Sequence, residues 1–175
     1  KIEKLIVAKD LLENVKTKIS ADSYKITDEF SGINLEYIKC QNPVVDRTSV
    51  GILADFVSME DGTGIVHIAP GHGQEDYQAG IAYKLDVISP LNDRGQFTNQ
   101  VPEFEGVNVF KANPLIIEKL QKEGKILASL KIEHSYPHCW RCKKPVIFRA
   151  TPQWFMSVEH NNLRQNLLSE IKNVG

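Results

Sequence analysis

The segment 62–77 limits the fold of this chain more than any other, because it reads Gly-Thr-Gly-Ile-Val-His-Ile-Ala-Pro-Gly-His-Gly-Gln-Glu-Asp-Tyr. Side chains in 65–69 alternate with the period of two that is typical of a strand. The proline and two glycines of 70–73 interrupt that strand and allow a tight loop. Apolar residues then recur at helical spacing through 74–85. The segment therefore predicts a strand, a glycine-rich loop and a helix in direct succession.

Two ionisable side chains stand on either side of that loop, His67 on the predicted strand and Asp76 in the first turn of the predicted helix. A carboxylate at this position can accept charge-assisted hydrogen bonds from an ammonium group, or it can simply complement the helix dipole. An imidazole at the end of a strand can orient water or hydrogen-bond a substrate, or it can be an ordinary half-buried histidine. The residues alone leave these alternatives open.

The overall composition excludes some classes of protein. The chain of 175 residues is 42% hydrophobic and 25% charged, which is ordinary for a globular domain. A net charge of -1 argues against nucleic-acid binding through a broad basic surface, although a local basic patch stays open. No apolar run approaches the roughly 20 residues of a membrane helix, so no membrane partner is expected. The chain also lacks a Gly-x-Ser-x-Gly nucleophile motif.

The cysteines favour a reducing compartment over a disulfide framework. There are three, and two of them form Cys139-x-x-Cys142. That spacing is typical of a zinc site, but tetrahedral zinc takes four ligands and one pair is only half a site. His134 and His138 lie close enough in sequence to complete it, whereas Cys40 is far away. Reduced thiols and a weakly loaded metal site therefore remain as alternatives.

Helical signals recur after the central segment and near both ends of the chain. Asp10 is predicted to cap a first helix. A second is predicted to start at Asn113-Pro114, with Asn113 as N-cap and proline in the first turn, and to end at Gly124. A last helix is predicted from about Asn161.

Short strand patterns fill much of the remaining chain. They lie at 2–8, 23–30, 33–39, 52–57, 85–91 and 126–132. Many short strands with a few short helices predict an α+β domain, and we expect a mixed, barrel-like sheet with peripheral helices.

These residues resemble a known family. The run Asp-Gly-Thr-Gly-Ile-Val-His-Ile-Ala-Pro-Gly-His-Gly-Gln-Glu-Asp at 61–76 is similar to the editing-pocket motif of isoleucyl-tRNA synthetase. The run Tyr-Pro-His-Cys-Trp-Arg-Cys at 136–142, continuing to Phe-Arg-Ala-Thr-Pro-Gln-Trp-Phe at 148–155, resembles the exit from the same insertion. The resemblance implies an editing domain over 1–155, beginning after the family's threonine-rich segment, and a helical return segment toward the catalytic domain over 156–175.

The resemblance also implies roles for particular residues. Asp76 falls on the acid that grips the substrate ammonium, and His67 falls in the pocket wall as a determinant of side-chain size. Substrate-binding positions implied in the same way are Gly71, His72, Gly73 and Tyr136. The implied reaction is hydrolysis of mischarged valyl-tRNA(Ile) by direct attack of water, as one activity of an isoleucine–tRNA ligase.

The implied partners are the acceptor end of tRNA(Ile) and misactivated valine, in the cytoplasm. ATP would be used only by the full-length enzyme, because the aminoacylation signatures His-x-Gly-His and Lys-Met-Ser-Lys-Ser do not occur here. Zinc remains possible at Cys139 and Cys142, which in the family can join a second, upstream cysteine pair. Two other hypotheses stay open: a non-catalytic module that binds the acceptor end or an aminoacyl ester, and a zinc-binding structural module.

Overall fold

The computed structural model describes residues 4–174 as a small mixed α/β protein. Within that range there are four α-helices and one two-stranded antiparallel sheet. The helices are α1 (Leu12–Lys18), α2 (Gln74–Ala82), α3 (Val109–Lys122) and α4 (Leu163–Asn173), and the strands are β1 (Lys39–Gln41) and β2 (Thr48–Val50). Short 3-10 turns cover Lys9–Leu11, Gly32–Leu35, Pro102–Phe104 and His160–Asn162. The expectation of helices combined with a sheet is confirmed, but this sheet does not close into a barrel.

The sheet is a short hairpin whose turn is fixed by Asn42. In the antiparallel register Lys39 pairs with Val50 and Gln41 with Thr48. The Asn42 side-chain oxygen accepts hydrogen bonds from the N–H groups of Val44 and Val45, at 2.9 and 3.1 Å. This is the local turn that asparagine stabilises best, since its short side chain reaches its own backbone.

Burial is confined to a few apolar side chains. They are Leu11 and Val15 near α1, together with Leu91, Phe104 and Ala112 in the region we call the packed unit, residues 91–125. In the packed unit Leu91 bridges to Phe97 and Gln96 to Asn108, each as an isolated antiparallel pair. The accessible surface is 14502 Å², whereas about 8,600 Å² is expected for a compact protein of 19.7 kDa. The described residues are therefore not wrapped around one large core.

Most of the predicted strands are extended or irregular backbone without a ladder. At 65–69, the central predicted strand, Ile65 and Val66 are both about half exposed, at 51% and 55%, so neither face is covered. The predicted strands at 23–30, 52–57, 85–91 and 126–132 likewise form no ladder in the part of the chain that is described. The one predicted at 33–39 begins as a 3-10 turn and reaches β1 only at Lys39, and residues 2–3 of the one predicted at 2–8 lie outside the described residues. The predictions were wrong here because alternation describes a side-chain pattern, whereas a strand also needs a neighbouring backbone to pair with.

The helix predictions were closer, with one error at α3. That helix begins at Val109, and the Asn108 side chain accepts a hydrogen bond from the Phe110 N–H at 3.1 Å. Asn113 and Pro114 lie inside the helix rather than at its start. Asn108 takes precedence because Val109 N–H also bonds to the Gly95 carbonyl at 2.9 Å, which fixes the helix entry. The predicted end at Gly124 is confirmed, with a φ of 65°.

The remaining helices agree with expectation in position. α2 starts directly after Gly73, and α4 starts two residues beyond Asn161. The predicted cap at Asp10 is wrong: Asp10 lies within the 3-10 turn that precedes α1, and neither that turn nor α1 has a side-chain cap hydrogen bond. Among residues 4–174, no helix has both the length and the apolar character required to cross a membrane.

Candidate functional site

The glycine loop, residues 69–73, folds back on the carbonyl of Ala69. The N–H groups of His72 and Gly73 both donate to that oxygen, at 2.8 and 3.2 Å. Gly71 is buried and lies against the backbone of Ile88 so closely that a Cβ atom would collide with the Ile88 carbonyl. Glycine at this position is therefore required by a close backbone approach and not merely by a turn.

Asp76 is held against the glycine loop by its own carboxylate. It is the third residue of α2, is half-buried, and its Oδ2 accepts a hydrogen bond from the Ala69 N–H at 3.0 Å. A Cβ on Gly73 would lie 2.7 Å from that same Oδ2, so the second glycine leaves room for the carboxylate. A negative charge in the first turn also matches the helix dipole. The arrangement can accept further charge-assisted hydrogen bonds from a cation.

His67 lies beside an apolar cavity of about 300 Å³. The side chain is exposed. Its apolar walls are formed by the side chains of Val44, Val45, Phe97, Val101 and Ile116, and Asn42 and Pro43 complete the lining. Such a cavity can receive an aliphatic or aromatic group of a ligand. Asp76, Tyr136 and the glycine loop do not line it.

Tyr136 is ordered by its own part of the chain. Its hydroxyl donates to the Val146 carbonyl at 2.9 Å, and its ring meets His134 and His138 edge-on at 6.0 and 6.3 Å. These contacts place Tyr136 on the arm 134–146, with no described hydrogen bond to His67 or Asp76.

His72 makes a contact that the sequence did not reveal. Its Nδ1 lies 2.9 Å from the Phe148 carbonyl oxygen, and the Ala150 N–H donates to the Gly71 carbonyl at 2.8 Å. Residues 148–150 therefore dock on the glycine loop, although 76 positions separate His72 from Phe148. The second long motif contains these residues, but no local pattern indicates that they pair with the first motif.

The cysteine pair occupies a tight turn at 138–145. The Cys139 N–H donates to the Lys144 carbonyl, and the Lys143 N–H donates back to the Cys139 carbonyl, both at 2.8 Å. The pKa of the Cys139 thiol is lowered, first by the backbone N–H of Cys142, then by that of Arg141 and by the Cys142 thiol. Hydrogen bonds to sulfur favour the thiolate, which is the form that binds zinc.

The donor set at this turn does not complete a zinc site among residues 4–174. No group of three or more metal-binding side chains is found there. His134 and His138 therefore do not join the two cysteines in such a group, and their Nδ1 atoms lie 3.0 and 2.8 Å from the carbonyl oxygens of Ser135 and Tyr136. The prediction that these histidines could complete the site was wrong, and the turn supplies only two of the four ligands that tetrahedral zinc requires.

Comparisons with known proteins agree with the resemblance drawn from the motifs. A family model described as "Leucyl-tRNA synthetase, editing domain" matches residues 3–121. The chain is 52% identical over 169 residues to the isoleucine–tRNA ligase of Fervidobacterium pennivorans, covering 97% of this chain and 18% of that protein. The corresponding protein of Kosmotoga olearia is 52% identical over 167 residues, covering 95% and 18%. That of Thermotoga neapolitana is 48% identical over 174 residues, covering 98% and 19%. The chain thus spans less than a fifth of the length of these curated relatives.

Proposed function

The chain belongs to the synthetase family described as the leucyl-tRNA synthetase editing domain, and we propose that it hydrolyses mischarged valyl-tRNA(Ile) as the editing part of an isoleucine–tRNA ligase. Identities of 48–52% to proteins named isoleucine–tRNA ligase support this assignment. The structural observation that carries it is the Asp76 carboxylate, which the Ala69 N–H holds at the entrance of α2.

A second, hydrolytic site answers a physical limit on recognition. A missing methylene changes binding by only about 1–3 kcal/mol, a value known for this class of enzyme and not obtained from the structure. A site that hydrolyses whatever is small enough to enter removes valine and spares isoleucine. It must hold the α-ammonium group, exclude the larger side chain, and admit water to the ester.

Asp76 is the group that we assign to the ammonium. One carboxylate oxygen is committed to the Ala69 N–H, and Oδ1 makes no hydrogen bond within residues 4–174. In the proposed reaction a water oxygen bonds to the ester carbonyl carbon, and the bond from that carbon to the ribose oxygen breaks. The ribose oxygen takes the proton, and free valine and tRNA with an intact terminal hydroxyl leave. Direct attack by water needs no protein nucleophile.

His67 is the group that we assign to selection by size. Its position at the rim of an apolar cavity is consistent with a wall that an aminoacyl side chain would meet. Gly71, His72, Gly73 and Tyr136 remain proposed substrate-binding positions. The acceptor end of tRNA(Ile) is the proposed partner, and the cytoplasm is the proposed compartment.

The other parts of the assignment concern the whole polypeptide. We assign residues 1–155 to the editing unit and 156–175 to a return segment, and the barrel-like sheet belongs to this proposal as a property of the whole polypeptide. ATP-dependent ligation belongs to the longer proteins. Zinc, where bound, would be held by Cys139 and Cys142 together with two further donors, and it would fix the turn.

Deacylation assays test the proposal. The chain is incubated with valyl-tRNA(Ile) and, separately, with isoleucyl-tRNA(Ile). We expect hydrolysis of the valyl ester only, and Asp76→Ala should lower its kcat/KM about 10- to 100-fold, because a hydrogen bond to a charged group is lost. Glu75→Ala removes the same charge from the same helical turn and should change little. Equal hydrolysis of both esters, or equal effects of the two variants, would contradict the proposal.

One observation favours a second candidate, a module that binds the acceptor end without hydrolysis. Asp76 does not line the cavity beside His67, so the described residues do not join both groups in one pocket. Titration with a non-hydrolysable valyl-adenosine analogue separates the two candidates. Binding that requires Asp76, with no turnover of the tRNA ester, would identify the binding module.

A further inference from the structure

Two hydrogen bonds join the glycine loop to a distant stretch of chain. The Ala150 N–H donates to the Gly71 carbonyl at 2.8 Å, and His72 Nδ1 lies 2.9 Å from the Phe148 carbonyl oxygen. Because a carbonyl oxygen can only accept, Nδ1 must carry the proton and donate. Residues 148–150, which are distant in sequence, thus hold the glycine loop in place.

The 148–150 segment is itself anchored on the packed unit. The Arg149 guanidinium donates to the carbonyl of Leu91 at 3.0 Å and forms an ion pair with the Asp93 carboxylate. Leu91 is buried, with 5% of its surface exposed. The forked geometry of arginine allows both contacts at once, which lysine could not reproduce.

The glycine loop passes this restraint to Asp76. His72 N–H donates to the Ala69 carbonyl, and the Ala69 N–H donates to Asp76 Oδ2. Ala69 therefore connects the Asp76 carboxylate to the contacts of His72 and Arg149, which we call the clamp. Gly73 is the residue before α2, and the Tyr77 N–H bonds back to its carbonyl at 2.8 Å. A shift of the loop would therefore move both the carboxylate and the first turn of the helix.

We propose that His72 and Arg149 are positioning residues, which act through the 148–150 segment and the glycine loop to fix the direction of the Asp76 carboxylate. This inference rests on the proposed function only for its consequence in hydrolysis. Its structural content replaces the substrate-binding role proposed above for His72: the Nδ1 of His72 donates to the Phe148 carbonyl of the protein and not to the substrate. Arg149 anchors the 148–150 segment, which contains the Phe148 acceptor, to Leu91 and Asp93.

Substitution of His72 by two different amides distinguishes positioning from substrate contact. The amide nitrogen of asparagine reaches about as far as Nδ1, whereas that of glutamine reaches about as far as Nε2. We expect His72→Ala to lower kcat/KM for valyl-tRNA(Ile) about three- to tenfold, the effect of one neutral hydrogen bond. His72→Asn should restore most of the loss, and His72→Gln should not. Rescue by glutamine alone would overturn the proposal.

A double-mutant cycle tests whether the effect passes through Asp76. If His72 acts only by positioning the carboxylate, His72→Ala should have no further effect in an Asp76→Ala background. Additive losses would show an independent contact with the substrate. His160→Ala, a histidine in the distant 3-10 turn His160–Asn162, serves as control and should leave the kinetics unchanged.

Amide hydrogen exchange tests the clamp without any reaction. We expect exchange of the Ala69 amide to become about three- to tenfold faster in His72→Ala and to return in His72→Asn, because the hydrogen bond to Asp76 opens more often. Arg149→Lys, which keeps the charge, provides the same measurement if His72→Ala does not fold. Unchanged Ala69 exchange in both variants would overturn the clamp. A chain that shows the exchange effect but no hydrolysis would instead refute only the proposed function.

Discussion

Similar aromatic side chains differ in burial between the packed unit 91–125 and the C-terminal stretch 151–174. Phe104 is 5% exposed and its ring lies 6.3 Å from that of Phe97. Phe155 is 89% exposed, and its neighbour Trp154 is fully exposed at 103%. Aromatic residues alone therefore do not determine which part of the chain packs.

This difference in burial follows from the sequence separation between each residue and the backbone with which it can pair. In the packed unit, Phe97 exchanges backbone hydrogen bonds with Gly106 and Val107, at 2.8 and 3.0 Å. These partners are only about ten positions away, so little loop entropy is lost when they meet. Residues 154–156 have no strand beside them in the described chain, and their apolar side chains stay in contact with water.

The largest expected effect comes from removing the ring that closes the packed unit. Phe104→Ala should lower the free energy of unfolding of this unit by about 3–5 kcal/mol, because a buried aromatic is lost and a cavity remains. Urea unfolding followed by amide exchange in α3 measures the change. The matched substitution Phe155→Ala should change it by no more than about 0.5 kcal/mol, since that ring is already in water. Similar losses in both variants would remove the distinction between the two regions.

The same distinction explains how much of the fold could be predicted. The end of α3 at Gly124 and the start of α2 after Gly73 depend on glycines within one turn, and the sequence predicted both correctly. The start of α3 also depends on the distant Gly95 carbonyl, and the sequence predicted it wrongly. A strand depends on a partner that its own residues do not specify. The alternation at 65–69 therefore predicted side-chain spacing but could not predict that no ladder forms there.

The candidate site divides in the same way. The loop between His67 and Asp76 could be predicted, because proline and glycine break a strand locally. The bond between His72 and Phe148 could not, because it joins two motifs that are distant in sequence. His134 and His138 are close to the cysteine pair in sequence, but no group of three or more metal-binding side chains forms within residues 4–174. Proximity in sequence therefore did not predict that these side chains converge.

An intermediate effect is expected at the start of α3, where two asparagines compete as caps. Asn108→Ala should cost about 0.5–2 kcal/mol of stability, because the Phe110 N–H loses its acceptor. Asn113→Ala should be neutral or slightly stabilising, since alanine is the better helix former inside a helix. Urea unfolding of both variants compares them directly. A larger loss of stability in Asn113→Ala than in Asn108→Ala would support the helix start at Asn113 that the sequence predicted.

The smallest effect is a pH dependence confined to the end of α3. Lys119 and Lys125 pair with Glu123 at 2.8 and 2.6 Å, and their hydrogen bonds lower the pKa of that carboxyl from 4.5 to about 2. A depressed pKa means that the ionised carboxylate stabilises the folded state above pH 4.5. That contribution declines as pH falls from about 4.5 to about 2, where the carboxylate becomes protonated in both states.

Acid unfolding of Glu123→Gln, followed by far-UV circular dichroism, measures this contribution. The variant should be slightly less stable than the parent at neutral pH, because the ion pairs to Lys119 and Lys125 are gone. The gap should close as pH approaches about 2, since the parent then carries a neutral side chain at this position too. Glu105→Gln alters an acid of the same unit that belongs to neither ion pair, and it should leave the pH profile unchanged. A gap that persists at pH 2 would mean that Glu123 stabilises the packed unit by packing rather than by charge.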